Sequence, residues 1–360
     1  MRSMQKYLIF LLLLIAACGK PEPDVPEPVV VDFSLIRAAD FSAIPKIEAT
    51  TLAAYFNADG KYENILTTFK NNGGNTVRLR LWHNPAGGYS GFEEVKNFAE
   101  EIKAAGLRVW LTVHYSDTWA DPGSQVTPTA WQGLTYAQVK DSMYAYTAKI
   151  VSEIHPEYIQ IGNENNGGIL YPYGKISSNE SQFVELMATG LQAVRDNDPQ
   201  TKTIIHFAGI NNPTWFFNKL TNLDYDIIGL SYYPFYHGKD LQLLTTTLNT
   251  MVQTYDKDIM IAETAYPFTL DWNDWTNNIV GSEDDLILPD YPATTAGQKD
   301  FVNRIKGIVK GTIRGLGFCY WGGELIAFNG PEASDGSSWE NLALYGFNSR
   351  ALPVMEAFGK

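Results

Sequence analysis

The sequence predicts an α/β fold, a single (β/α)8 barrel of the TIM type with extended loops after its strands. Three observations predict it: eight short apolar runs, helix-length segments between them, and no composition shift that marks a second folded domain. The runs cover residues 34–39, 75–81, 107–113, 158–162, 203–207, 226–231, 259–262 and 315–321. They are apolar or β-branched and too short to be helices of ordinary length. Between them, residues 91–105, 135–154, 181–196, 240–255 and 297–311 mix apolar and polar side chains at helical spacing. Strand alternating with helix argues for a parallel sheet with crossover connections, and eight such units point to a closed barrel. An open doubly wound sheet is the alternative. It fits less well, because Asp40-Phe41-Ser42 stands where a dinucleotide fold carries a glycine-rich phosphate turn.

Ahead of the barrel, Arg2 and Lys6 precede an unbroken apolar run over residues 8–17 that ends at Cys18. This run is too short to span a bilayer, which takes about 20 residues, and the arrangement is that of a secretory leader. Leu14-Ile15-Ala16-Ala17-Cys18 resembles the lipobox of bacterial lipoproteins, whose cysteine is lipidated after cleavage. Residues 1–17 are therefore expected to be a cleaved leader of lipoprotein type, with Cys18 as the lipidation site. Residues 18–32, where Pro21, Pro23, Pro26 and Pro28 alternate with Glu22, Asp24 and Glu27, read as a semi-rigid tether. Residues 33–360 form the folded domain. The expected product is exported and lipid-anchored through Cys18. Gly19 and the acids after it point to the outer membrane of a Gram-negative cell, with its outer face a further expectation. Once Cys18 is lipidated only Cys319 remains, so no disulfide is available, and Cys319 reads as a buried strand residue.

With 27 Lys and Arg against 40 Asp and Glu, the chain carries a formal charge of −13 and no clustered basic run. Binding a phosphate backbone needs a basic footprint, so a nucleic-acid partner is excluded. Charged residues make up 19% of the chain, below the usual level of about 25%, while Trp, Tyr and Phe reach 13%. That balance favours a neutral ligand met by aromatic surface.

In such barrels the working groups gather at the C-terminal ends of the strands. Those ends are polar and aromatic here: Trp82-His83-Asn84-Pro85, the stretch from His114 to Pro122, Gly162-Asn163-Glu164, Ser231-Tyr232-Tyr233-Pro234, Glu263-Thr264 and Trp321-Gly322-Gly323-Glu324. Two of them supply a carboxylate directly after an apolar strand, Glu164 after the fourth and Glu263 after the seventh. These strands face one another across the barrel mouth. Glycosidic cleavage needs such a pair, one protonated to release the leaving oxygen and one ionised to attack or to activate water. Arg78 or Arg80, on one face of the second strand, is placed to keep the ionised partner charged.

At these residues the chain resembles glycoside hydrolase family 53, the endo-β-1,4-galactanases. The resemblance runs from about Arg37 to Phe347 and is most specific in His114-Tyr115-Ser116-Asp117-Thr118-Trp119-Ala120-Asp121-Pro122. It implies Glu164 as acid/base and Glu263 as nucleophile, with Asn163 holding the sugar's 2-hydroxyl. It implies that Arg78, His114 and Tyr232 line the catalytic subsite, with Arg80 and Tyr233 beside them. Trp82, Trp119 and Trp321 are assigned to sugar stacking, and Asp117 and Asp121 either bond sugar hydroxyls or brace the loop. The chain departs from the family after the fifth strand, where Ala208-Gly209 replaces a more polar pair, and after the acid, at Asn165-Asn166-Gly167-Gly168.

No cofactor is expected for catalysis, and no His pair has zinc-ligand spacing on a helix. Some bacterial relatives carry a structural calcium in the loop after the seventh strand, and Asp271, Asn273 and Asn277 are the ligands to test here. The expectation is a monomeric retaining endo-hydrolase of β-1,4-galactan, the side chain of pectin. Its rivals are another β-1,4-glycanase of the same barrel group, such as a mannanase or xylanase, and a glycan-binding surface lipoprotein without catalysis.

Overall fold

Eight parallel strands close into a barrel: β1 (Ile36–Asp40), β2 (Thr76–Leu81), β3 (Arg108–Val113), β4 (Tyr158–Ile161), β5 (Lys202–Ala208), β6 (Ile227–Ser231), β7 (Asp258–Thr264) and β8 (Gly315–Tyr320). Each strand pairs with its sequence neighbours, and β1 pairs with β8 to complete the ring. The computed structural model describes residues 35–50 and 53–360. The expected leader, Cys18 and the tether lie outside the described residues. Among the described residues no helix is long and apolar enough to cross a membrane.

The helices foreseen in the sequence are present, and side-chain caps explain where three of them start. Thr135 accepts from the Gln138 N–H while the Gln138 side chain bonds back to Thr135, so Tyr136–Ile154 opens on a capping box. Asp240 accepts from the N–H groups of Gln242 and Leu243 at the head of Leu241–Tyr255. Thr294 caps Thr295–Gly311, two residues ahead of the expected start. Helix Ile176–Asn197 breaks at Asn179, whose φ of −141° is not helical, and it resumes where the apolar periodicity begins. Four short helices escaped the sequence reading: Ile44–Glu48, Ile65–Asn71, Pro213–Phe217 and Pro234–His237. They run 4 to 7 residues, too few for a period to show.

Side chains alternate across each strand, so the barrel separates two cores. A large one packs the outer face of the sheet against the helices, and a small one of Ile36, Ala38, Trp110, Ile204, Ile227, Met260, Ala262 and Cys319 fills the barrel. The Cys319 thiol is buried and burial pushes its pKa up, which suits a packing residue and not a nucleophile. One irregularity bears on chemistry. β6 pairs Leu230 with Ile261 but Ser231 with Glu263, and β8 pairs Phe318 with Ile261 but Tyr320 with Thr264. Against both neighbours β7 thus carries one extra residue at Ala262-Glu263. This is a β-bulge, the device that re-aims a side chain at a strand end.

Candidate active site

The bulge turns Glu263 into the barrel mouth, where two donors meet its carboxylate. Arg78 Nη2 stands 2.7 Å from Oε1, and the Tyr233 hydroxyl donates to Oε2 at 2.9 Å. Arg78 comes from β2, opposite Asp40 of β1, and its Nη1 donates to Asp40 Oδ2 at 2.9 Å. Its Nη2 also reaches Asn163 Oδ1 at 2.9 Å. The guanidinium is thus a buried hub between two carboxylates and an amide; burial pulls its pKa down, but the charges of Glu263 and Asp40 outweigh that and raise it. Arg80, one pleat along, leaves this hub. It donates to Ser90 Oγ and lies between the rings of Trp82 and Trp119, at 4.5 and 4.2 Å from their centroids.

Glu164 follows β4 after Gly162 and Asn163, and the local backbone is tightly determined. Gly162 has φ of +78°, and a Cβ there would lie 2.2 Å from Asn165 Oδ1. Glu164 itself sits at φ of +45°, a left-handed conformation that costs about 1–3 kcal/mol in a non-glycine residue. It is held there by the His206 ring, which accepts its N–H, and by Gln125 Nε2, which donates to its carbonyl. A buried chain then reaches the carboxyl group. Gln160 Nε2 donates to His206 Nδ1 at 2.7 Å, which leaves His206 Nε2 to donate to Ser231 Oγ at 2.8 Å, and Ser231 Oγ donates to Glu164 Oε1 at 2.5 Å. Burial and the nearby Arg78 charge keep His206 neutral, in keeping with one donor and one acceptor nitrogen.

One carboxylate oxygen of Glu164 and one of Glu263 lie within 4.8 Å of each other, with His206 completing the group. Burial and the charge of Glu263 push the Glu164 carboxyl up to about 8. Burial also raises Glu263, while the Arg78 guanidinium and the Tyr233 hydroxyl pull it back. The pair's one proton therefore belongs on Glu164, which receives a neutral donor where Glu263 receives a cationic one. The same group does not fit a metal ion: both His206 nitrogens are engaged, and Arg78 already holds the counter-charge to Glu263.

These residues floor a cleft of about 750 Å³ lined in part by Trp82, Trp119, Asp121, Tyr236, Trp321 and Trp339. Trp119 is 42% exposed and packs near Trp321, ring centroids 6.0 Å apart. Asn163 Nδ2 donates to the Ala120 carbonyl, so its amide is oriented with the oxygen toward Arg78.

Other predicted residues spend their polar atoms within the protein. Tyr232 is fully buried and its hydroxyl donates to the Gly238 carbonyl. The alternation that points Ser231 and Tyr233 inward sends it outward, a correction to the subsite role expected of it. His114 is buried, and its Nδ1 accepts from the Ala120 N–H, which braces the loop after β3. Of the two loop acids, Asp117 is spent on the N–H groups of Asn84 and Thr129, whereas Asp121 lines the cleft. Three residues that the sequence left without a role, Asp40, Gln160 and Ser231, complete the site. No local motif marks them, since each acts across the barrel.

In the loop expected to take calcium, two of the acids have partners within the protein. Asp271 and Asn277 are exposed, and the Asp271 carboxylate meets the Thr269 hydroxyl. The loop's buried acid is Asp274, whose oxygens accept the N–H groups of Thr276 and Ser337. These side chains offer one exposed carboxylate and two amides, so a calcium held by Asp271, Asn273 and Asn277 would draw the rest of its 6–8 oxygens from backbone carbonyls and water.

Two carboxyl groups brought close together at the mouth of an eight-stranded barrel, in a cleft walled by tryptophans, define a glycoside hydrolase. The comparisons with known proteins agree. Residues 36–358 match the model of glycosyl hydrolase family 53, and the chain belongs to that family. It is 32% identical over 340 residues to an arabinogalactan endo-β-1,4-galactanase of Cellvibrio japonicus, covering 89% of each chain. It is 34% identical over 305 residues to a probable arabinogalactan endo-β-1,4-galactanase A of Aspergillus fumigatus, covering 79% of this chain and 83% of that one. The family 53 catalytic domain of Ignisphaera aggregans superposes with a TM-score of 0.85 at 35% identity, over 94% of this chain and 98% of that domain.

Proposed function

We propose that the chain is an endo-acting hydrolase of β-1,4-galactan that retains anomeric configuration, with Glu263 as nucleophile and Glu164 as acid/base. The observation that carries the mechanism is the approach of the two carboxylates to within 4.8 Å. Retaining pairs stand about 5–5.5 Å apart, whereas inverting pairs need about 6.5–9.5 Å to admit a water. In the first step Glu263 attacks the anomeric carbon while protonated Glu164 gives its proton to the departing oxygen. In the second, Glu164 takes a proton from water, which attacks the glycosyl-enzyme bond and releases Glu263. Asn163 suits the 2-hydroxyl, where a bond that strengthens in the transition state lowers the barrier most. The galactanases among its relatives support the substrate, and the aromatic cleft suits a neutral polymer.

Digestion of linear β-1,4-galactan, with products resolved by size and anomeric form, tests this reading alongside Glu263→Gln. Short β-configured oligomers from wild type and almost none from the variant are expected. Release of α-configured ends overturns retention, and cleavage of mannan or xylan in place of galactan moves the substrate. We further propose lipid anchoring through Cys18 at the outer membrane, supported by the leader and lipobox-like residues. Cys18→Ala should release the protein from the membrane fraction, and a variant that stays bound overturns the anchor.

A further inference from the structure

The cleft wall beside Glu164 carries a histidine that the mechanism does not use. His237 ends the short helix Pro234–His237 after β6 and lines the cleft together with Ala208 and Tyr236. Its Nδ1 accepts the Tyr233 N–H at 3.0 Å. A backbone amide can only donate, so Nδ1 must present its lone pair and the neutral ring must carry its proton on Nε2. Among the described residues that N–H meets no acceptor, and the ring is partly exposed. Burial pushes the ring down to about 4, which keeps this tautomer neutral across the working range of pH.

The surroundings keep the Nε2 edge open. Gly209 lies against it at φ of +90°, and a Cβ there would stand 3.0 Å from Cδ2 and 3.4 Å from Nε2. The end of β5 is fixed in turn by Asn166, whose amide bonds both the N–H and the carbonyl of Ala208. Tyr236 beside it is 59% exposed, with Phe235 packed edge-on at 4.6 Å. This wall belongs to the Glu164 side of the mouth. The Asp40–Arg78–Glu263 array and Glu324 occupy the other side, at the ends of β1, β2, β7 and β8. An acid must face the oxygen that departs, so the sugar beyond that oxygen lies on the acid's side.

We propose that His237 and Tyr236 form the subsite for the galactosyl unit on the leaving side of the cut bond, with His237 Nε2–H donating to a sugar hydroxyl and the Tyr236 ring underlying the pyranose. The assignment rests on the galactanase reading above and adds to it the residues that hold the leaving sugar.

Two isosteric changes separate this role from a structural one. Asn at this position places an amide oxygen where Nδ1 stands, so His237→Asn keeps the acceptor for Tyr233 and deletes the cleft donor. Gln places its amide nitrogen near Nε2, so His237→Gln keeps the donor and loses the acceptor. Each full-length variant is compared with wild type on galactohexaose, which fills both sides of the cut, and on an aryl β-1,4-galactotrioside, whose leaving group is not a sugar. For His237→Asn, kcat/KM on galactohexaose should fall about tenfold further than on the aryl substrate. His237→Gln should recover most of that difference. Equal losses on both substrates in His237→Asn, or a wild-type ratio, overturn the assignment. Failure of the wild type to cut galactohexaose overturns the galactanase reading instead, and Glu263→Gln on the same substrates shows which of the two has failed.

Discussion

Ser231 Oγ donates to Glu164 Oε1 at 2.5 Å, and among the described residues it is the donor that this carboxyl receives. A donor favours the ionised acid, so this bond works against the burial that raises Glu164. Ser231→Ala should therefore move the basic limb of the kcat/KM profile to higher pH, by about one unit for a bond of roughly 1.5 kcal/mol. A pH profile from 5 to 10 on galactan checks it. A basic limb that stays in place or moves down would show that Ser231 does not tune the acid.

The same raised carboxyl has a consequence for stability. An acid whose pKa rises on folding holds its proton more tightly in the folded state. Its cost to stability is absent below the unfolded value near 4.3, grows as pH rises, and is complete above about 8. Glu164→Gln removes the charge and keeps the shape. The variant's Tm should match wild type at pH 4.5 and exceed it at pH 8 by about 3 °C or more, since about 1 kcal/mol moves Tm by roughly 2–4 °C at this size. Calorimetry at the two pH values decides, and a gap that shrinks as pH rises would contradict the assignment of the proton to Glu164.

The strands were readable because each is an apolar run with a polar end, and the two acids because they stand directly after such runs. Their approach was readable from strand number: the fourth and seventh strands of a closed eight-stranded barrel stand three places apart, so their ends face across its mouth. Other features are settled only in three dimensions. Tyr232 and Tyr233 are indistinguishable by composition, and the pleat decides that Tyr233 bonds Glu263 while Tyr232 turns to Gly238. Asp40 closes the first run as an ordinary polar residue, and only the β1–β2 register, with Asp40 opposite Arg78, gives it a partner. The bulge at Ala262-Glu263 leaves no mark in the sequence, because an extra residue shows only against the neighbouring strands. The loop after β7 shows the same limit: its alternating oxygens over residues 271–277 look alike in the sequence, and only the structure shows that Asp274 among them serves backbone N–H groups.

Arg80 lies between two indoles, 4.5 Å from the Trp82 ring and 4.2 Å from Trp119, so its planar group sets the pitch of the Trp119 platform. Lysine keeps the charge but cannot stack flat in the gap. Arg80→Lys should raise KM for galactan about threefold, the weight of one exposed cation–π contact, and leave kcat nearly unchanged. A drop in kcat at constant KM would place Arg80 in the chemistry and not in substrate binding.

Asp40 shares Arg78 with Glu263, the proposed nucleophile, and its negative charge raises the Glu263 carboxyl. Asp40→Asn keeps the volume and an acceptor oxygen for Arg78 while removing that charge. Glu263 then has the guanidinium to itself, so its ionised form is favoured and its pKa falls. On the proposed mechanism activity needs ionised Glu263, so the acid limb of the pH–rate profile should move to lower pH. The nucleophile, more strongly bound by its counter-ion, should react more slowly, with kcat reduced about tenfold at the optimum, a barrier increase of roughly 1.4 kcal/mol. Steady-state profiles on an aryl galactoside, from pH 3 upward, measure both effects. An acid limb moving to higher pH would mean that the charge of Asp40 acts mainly by holding Arg78 in place, and that orientation outweighs repulsion in this array.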